Sequence, residues 1–224
     1  MRLLETCHRF RLLTILLSKV RFGSFLVYTP RGTSGISAKS RTVCYDLKRA
    51  KAATLQRMGE LLLRHIEQEG ELLSILGGDT VLVPVPRSSP IPKGALWPAG
   101  RICDTLIEYG LAQESIPCLE RIEAVPKSAY AAPGERPSAQ KHYDTLAVSQ
   151  ALIQPSRITL IDDVVTRGRT LLAAATRISE AFPGTEVRAL AIVRTMGFVS
   201  DLEKIVEPCV GLLSFKNGDV DRTP

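Results

Sequence analysis

The chain has 224 residues and a mass of 24.5 kDa, with 45% hydrophobic and 23% charged residues, a composition that excludes a disordered or fibrous chain and fits one sizeable α/β domain with an appendage. The formal charge of +6 is unevenly placed: residues 1–51 carry 11 Lys and Arg against two acids, leaving 18 against 21 beyond them. The basicity belongs to an N-terminal arm, which most often faces water; nucleic acid and an anionic membrane are the other surfaces that would receive it.

In chain order, Leu12 to Leu17 form an apolar run between Arg11 and Lys19. It is too short to cross a bilayer and no small-residue cleavage site follows, so it reads as an amphipathic helix packing on the body or on a partner. A Gly, Ser and Thr-rich stretch, TPRGTSGISAKS, leads into RTVCYDLK, which reads as a strand. Leu55, Met58, Leu62 and Ile66 then recur at helical spacing up to Gly70, a β-then-α unit. DTVLVPVPR followed by GRICDTLIEYG repeats the pattern, and IPCLER is a short strand. Residues 121–142 show no apolar periodicity and contain three prolines and six charged residues besides His142, a loop long enough to serve as a lid. RITLIDD is the next strand, TLLAAATRISEAF a helix, EVRALAIVR a further strand, and the remainder a ragged tail. The alternation predicts a doubly wound parallel sheet. Five cysteines (Cys7, Cys44, Cys103, Cys118, Cys209) without a C-x-x-C pair suit reduced thiols in a cytoplasmic protein.

Ligands in such sheets bind beyond the carboxyl ends of the strands. Asp162 with Asp163, the segment Pro84 to Arg87, and the start of the 121–142 loop all fall there. The turn Thr166-Arg167-Gly168-Arg169-Thr170 passes from strand to helix, so backbone N–H groups, the helix dipole and two hydroxyls converge on an anion-sized space that Gly168 lets a ligand approach closely. Two carboxylates beside a phosphate must face something else on the same ligand, either hydroxyls or a metal. A ribose 5-phosphate satisfies both needs, and the carboxylates would stabilise positive charge at the anomeric carbon.

The segment TLIDDVVTRGRT resembles the phosphoribosyl pyrophosphate signature of type I phosphoribosyltransferases, and YDLKRAKAATLQRMGELLLRHI, VLVPVPR, the long loop and AIVR follow the order of the ComF-like branch over roughly residues 41–195. The resemblance implies a basic N-terminal arm or hood segment at 1–40, a phosphoribosyltransferase domain at 41–215 and a tail at 216–224. It implies an enzyme that transfers the phosphoribosyl group to a nitrogen acceptor and releases pyrophosphate, with Mg2+ carried by the substrate diphosphate. Asp162 and Asp163 would contact the ribose hydroxyls; Val165, Thr166, Arg167, Gly168, Arg169 and Thr170 would hold the 5-phosphate. Arg87 would meet the diphosphate, while Arg136, Lys141 and His142 on the flexible loop would reach the leaving group and exclude water. The acceptor is not legible, and a homodimer is a candidate assembly.

Two departures limit the resemblance. The N-terminal zinc-binding cysteine cluster common in ComF-like proteins is reduced to the isolated Cys7 and Cys44, and Met1-Arg2-Leu3 lacks the cysteine nucleophile of glutamine-dependent amidophosphoribosyltransferases. An acid pair after a strand also opens receiver domains, but EVRALAIVRTMG ends without their acceptor acid; no Walker A sequence occurs. The alternative function is a non-catalytic, phosphoribosyl-pyrophosphate-sensing or nucleic-acid-associated protein of the DNA-uptake kind, with the basic arm as its contact. Trp97 and Tyr130 read as core caps rather than site residues.

Overall fold

The computed structural model describes residues 15–126, 136–149 and 154–224. Cys7, Tyr130, the centre of the 121–142 loop and the first half of the apolar run after Arg11 lie outside them. The end of that run, Ile15 to Leu17, is irregular rather than helical, with Leu16 buried against the core.

The first strand, β1 (Lys19–Tyr28), is buried along most of its length by Phe22, Phe25, Leu26 and Val27. Within the segment expected to be an arm or hood at 1–40, Lys19–Tyr28 is an interior strand of the main sheet. The segment read as the strand RTVCYDLK is instead part of helix α1 (Gly35–Lys48). Its inward face is Ser37, Ser40, Cys44 and Leu47, a helical stripe of mostly small polar residues that hydropathy alone does not reveal. The Ser34 hydroxyl caps it by accepting from Ser37 N, and Asp201 accepts from Ser34 N at 2.7 Å and from the Ser37 hydroxyl at 3.0 Å.

Helix α2 (Ala52–Glu69) buries Leu55, Met58 and Leu62 and ends on Gly70, whose left-handed φ of 68° forms the C-cap. A 3₁₀ turn (Glu71–Ser74) leads to β2 (Val81–Pro84), then α3 (Pro98–Glu108), β3 (Glu114–Ser115) and β4 (Leu119–Arg121). Trp97 precedes α3 and donates its indole N–H to the Val85 carbonyl at 2.9 Å, locking the end of β2 to the helix start. Helix α4 (Ala139–Asp144) takes up residues read as loop, capped by Ser138, whose hydroxyl accepts from Lys141 N. Next come β5 (Leu146–Val148), β6 (Arg157–Val165), α5 (Arg169–Ala181) and β7 (Glu186–Thr195).

The ragged tail is a hairpin, β8 (Val206–Lys216) and β9 (Asp219–Thr223). Asn217 and Gly218 turn it with φ of 52° and 79°, the Asn-Gly turn that suits the right-handed twist of paired strands.

The main sheet has seven strands in the order β3-β2-β6-β7-β1-β8-β9. The first five run parallel, with β8 antiparallel to β1 and β9 antiparallel to β8. β4 and β5 form a separate antiparallel pair. One face carries α5, with Leu171, Leu172 and Ile178 packed on Leu160, Val165 and Ala191. The other carries α1, α2 and α3, with Leu47, Leu62, Ile102 and Leu106 packed on Phe25, Leu82 and Ile161. The molecule is therefore a mixed α/β fold around a mostly parallel central sheet. No helix among the described residues is long and apolar enough to cross a membrane.

Candidate functional site

Strand β6 is buried from Ile158 to Ile161, and toward its carboxyl end Asp162, Asp163 and Val164 become half-buried before the buried Val165. That end lines a cleft of about 670 Å³ together with the 166–170 turn, Tyr28 and Lys48 from the β1–α1 side, Met196 to Val199 after β7, and Arg222 from β9. Of the residues singled out by sequence, Asp162, Asp163, Val165, Thr166, Arg167, Gly168, Arg169, Thr170, Arg136 and His142 line this cleft. Arg87 and Lys141 do not. Arg87 is exposed and donates to the Leu96 carbonyl at 3.2 Å, and Lys141 pairs with Glu123 at 2.7 Å on the surface.

The two carboxylates differ. Asp162 accepts a hydrogen bond from the Asp163 backbone N–H at 2.9 Å. Burial first, and then the Asp163 carboxylate beside it, push the Asp162 carboxyl well above the usual range. Lys48 opposes the shift electrostatically.

Gly168 sits at φ 89°, in the left-handed region, and heads α5 without a side-chain cap. The first-turn N–H groups are therefore left to whatever enters the cleft. A Cβ at this position would lie 2.4 Å from the Leu213 Cδ2 of β8, so the hairpin packs directly beneath the turn.

Arg167 and Arg169 line the cleft, but their guanidinium groups are tied down. Asp219 at the start of β9 accepts from Arg169 Nε and Nη2 at 2.6 and 2.7 Å and from Arg167 Nη1 at 2.7 Å. The Arg169 hydrogen bonds hold the Asp219 carboxyl down to about 2. Because this folded-state value lies below that of an unfolded chain, the clamp contributes stability above about pH 4 and loses it as pH falls through 2. The carboxylate is about one-third exposed, so solvent screening limits the contribution to about 0.5–1 kcal/mol. Urea unfolding of Asp219→Asn against the wild type is expected to give that gap at pH 7 and almost none at pH 2; a gap independent of pH would contradict the clamp.

Arg121, His142 and Thr145 form a buried polar cluster under the opposite wall. Arg121 is 4% exposed and donates from Nε to the Arg87 carbonyl at 3.1 Å, and from Nη1 to the Thr145 hydroxyl at 2.6 Å and the His142 carbonyl at 3.2 Å. Its Nη2 lies 3.5 Å from His142 Nδ1. Burial lowers the guanidinium to about 10, and Asp162 acts against that shift. His142, read from sequence as a loop residue, is 4% exposed on α4, with Nε2 at 3.4 Å from the Thr170 hydroxyl. Burial, with Arg121 and Arg169 nearby, lowers its imidazole to about 4.

Arg121, Arg222, Lys48 and Asp219 escaped the sequence reading. Arg222 donates to the Val165 and Thr195 carbonyls at 3.1 and 3.0 Å, joining the ends of β6 and β7. The Asn217-Gly218 pair was the available signal for its hairpin, and the alternation of Leu119 and Arg121 on one strand face was the signal for Arg121.

No protein-family model matches the chain, and comparison with curated proteins gives no match.

Proposed function

We propose that the chain binds phosphoribosyl pyrophosphate as its magnesium complex and transfers the phosphoribosyl group to a nitrogen acceptor. One observation carries this reading: two adjacent carboxylates and an uncapped, glycine-headed helix start line the same cleft. The turn from Thr166 to Thr170 would take the 5-phosphate through backbone N–H groups and hydroxyls. Asp162 and Asp163 would accept from the ribose hydroxyls and stabilise the cationic anomeric carbon as the bond to pyrophosphate breaks. Magnesium, arriving with the diphosphate, would neutralise leaving-group charge; the acid pair suits such a complex as an acceptor of its waters.

Cation supply in this reading comes from Arg136, Lys48 and Arg222 at the cleft wall, since Arg167 and Arg169 are engaged by Asp219. Arg87 would contribute through its carbonyl, which anchors Arg121. The described cysteines, Cys44, Cys103, Cys118 and Cys209, are all free and buried, which suits the reducing cytoplasm proposed for it.

Calorimetric titration of magnesium phosphoribosyl pyrophosphate into the wild type and into an Asp162→Ala, Asp163→Ala double variant tests the reading. Wild-type binding is expected to fall by at least about a hundredfold in the variant, as expected for hydrogen bonds to charged groups lost at two positions. Pyrophosphate release across a panel of bases, amines and ammonia then identifies the acceptor. Binding without release from any acceptor would favour a sensor over an enzyme, and absent binding by folded wild type would reject the site.

A further inference from the structure

An arginine side chain only donates hydrogen bonds, whereas each histidine ring nitrogen can do either, and this asymmetry decides the tautomer of His142. Arg121 Nη2 faces His142 Nδ1 at 3.5 Å, so Nδ1 must offer its lone pair. The ring proton then sits on Nε2, which lies 3.4 Å from Thr170 Oγ1. A protonated Nε2 can only donate; Thr170 Oγ1 is its acceptor, and the threonine hydroxyl hydrogen is left free to point elsewhere. The opposite tautomer would set Nδ1–H against an Arg121 N–H inside a buried cluster, and its Nε2 lone pair would take up the Thr170 hydroxyl hydrogen.

Three neighbours hold the ring in this arrangement. Ser138 caps α4, Thr145 closes it while accepting from Arg121, and Arg121 is itself fixed to the Arg87 carbonyl. Burial keeps the ring neutral, and the charged groups facing it, Arg121 from β4 and Arg169 from α5, are both cations that act in the same direction. Thr170 stands in the first turn of α5 and lines the cleft.

We infer that His142 is a positioning residue: its Nε2–H occupies the Thr170 oxygen, so that the Thr170 hydroxyl donates into the cleft to an anionic oxygen of phosphate chemistry. The inference rests on the proposed function for the identity of that anion. The direction of the hydroxyl rests on the hydrogen-bond geometry alone. It also links the end of β2 to the phosphate turn, through Arg121 and His142, in place of a direct contact from the Arg87 side chain.

Two measurements test it. Nitrogen-15 spectra of histidine-labelled wild type at pH 7, with the His142 signals assigned by their loss in His142→Gln, are expected to show an unprotonated Nδ1 and a protonated Nε2. Binding of ribose 5-phosphate is then followed in a cycle of variants. His142→Gln, whose amide can reproduce the Nε2 donor, should stay within about threefold of wild type, while His142→Phe and Thr170→Val each weaken binding about tenfold. Combining His142→Phe with Thr170→Val should weaken it no further than Thr170→Val alone, because one hydroxyl is being oriented. A protonated Nδ1 or a cationic ring would overturn the inference, as would additive losses in the double variant. Failure of wild type to bind ribose 5-phosphate despite the expected tautomer would reject the phosphoribosyl reading and, with it, the donor role given to Thr170.

Discussion

Asp162→Asn should raise the thermal midpoint of this protein and, in the function proposed for it, lower its turnover of phosphoribosyl pyrophosphate. Asp162 is desolvated at the end of β6 beside a second carboxylate, and its folded-state proton affinity lies well above that of an unfolded aspartate. Below about pH 4 both folded and unfolded chains carry the proton and the site has no penalty. As pH rises, the unfolded state ionises first, so stability declines until the pH passes the folded-state value. Asparagine removes the ionisation and retains the oxygen that accepts from the Asp163 N–H. The expected gain at pH 7.5 is about 1–2 kcal/mol, within the range of single stabilising substitutions, or about 2–4 °C per kcal/mol for a chain of this size. Scanning calorimetry of both proteins at pH 4 and pH 7.5 should show the gap opening with pH. The same charge is what would stabilise a cationic ribose, so turnover should drop by at least about a hundredfold, on the scale of lost electrostatic stabilisation at an active site. Equal midpoints at both pH values would argue that Asp162 is not destabilising, and retained turnover would remove it from the chemistry.

Gly168→Ala is expected to damage stability and anion binding together. The position holds φ 89°, which costs an L-residue about 1–2 kcal/mol. The added Cβ would also lie 2.4 Å from Leu213 Cδ2, 2.9 Å from its Cδ1 and 3.1 Å from its Cγ. Leu213 is fully buried in the core shared by α5 and the sheet, so it cannot swing aside without opening a void. Backbone strain and overpacking together predict a loss of about 2–4 kcal/mol. Relief by moving the turn would misalign the first-turn N–H groups of α5, so ribose 5-phosphate affinity should fall about tenfold or more. Chemical unfolding and calorimetric titration read the two effects separately. A variant that is destabilised yet binds normally would show that the turn does not hold the anion, and a variant of unchanged stability would contradict the packing described for β8.

Contiguous features were legible in the sequence. The β6–turn–α5 segment carries its chemistry within about fifteen residues, and α2, α3, β2, β6 and β7 announce themselves by apolar spacing and by helix-ending glycines. Helix α1 was hidden because its buried face is Ser37, Ser40 and Cys44; the two serines are satisfied by hydrogen bonds, and the Asp201 carboxylate that holds Ser37 and the capping Ser34 lies 167 positions from Ser34. β1 was hidden for a different reason: an apolar run states that it will be buried, not between which strands, and its neighbours β7 and β8 come from the far end of the chain.

The mostly parallel character of the sheet, the acid pair and the strand-to-helix turn are legible from the chain alone, because each is written in adjacent residues with local backbone preferences; the antiparallel β8 and β9 are not. Which charges remain available depends instead on long-range packing. Arg167 and Arg169 are engaged by Asp219, 52 and 50 residues away; Arg121 reaches His142 across 21 residues, and His142 reaches Thr170 across 28. Hydrogen bonds of that kind depend on how elements pack around a shared core, and no local periodicity records which side chains that packing brings within bonding distance.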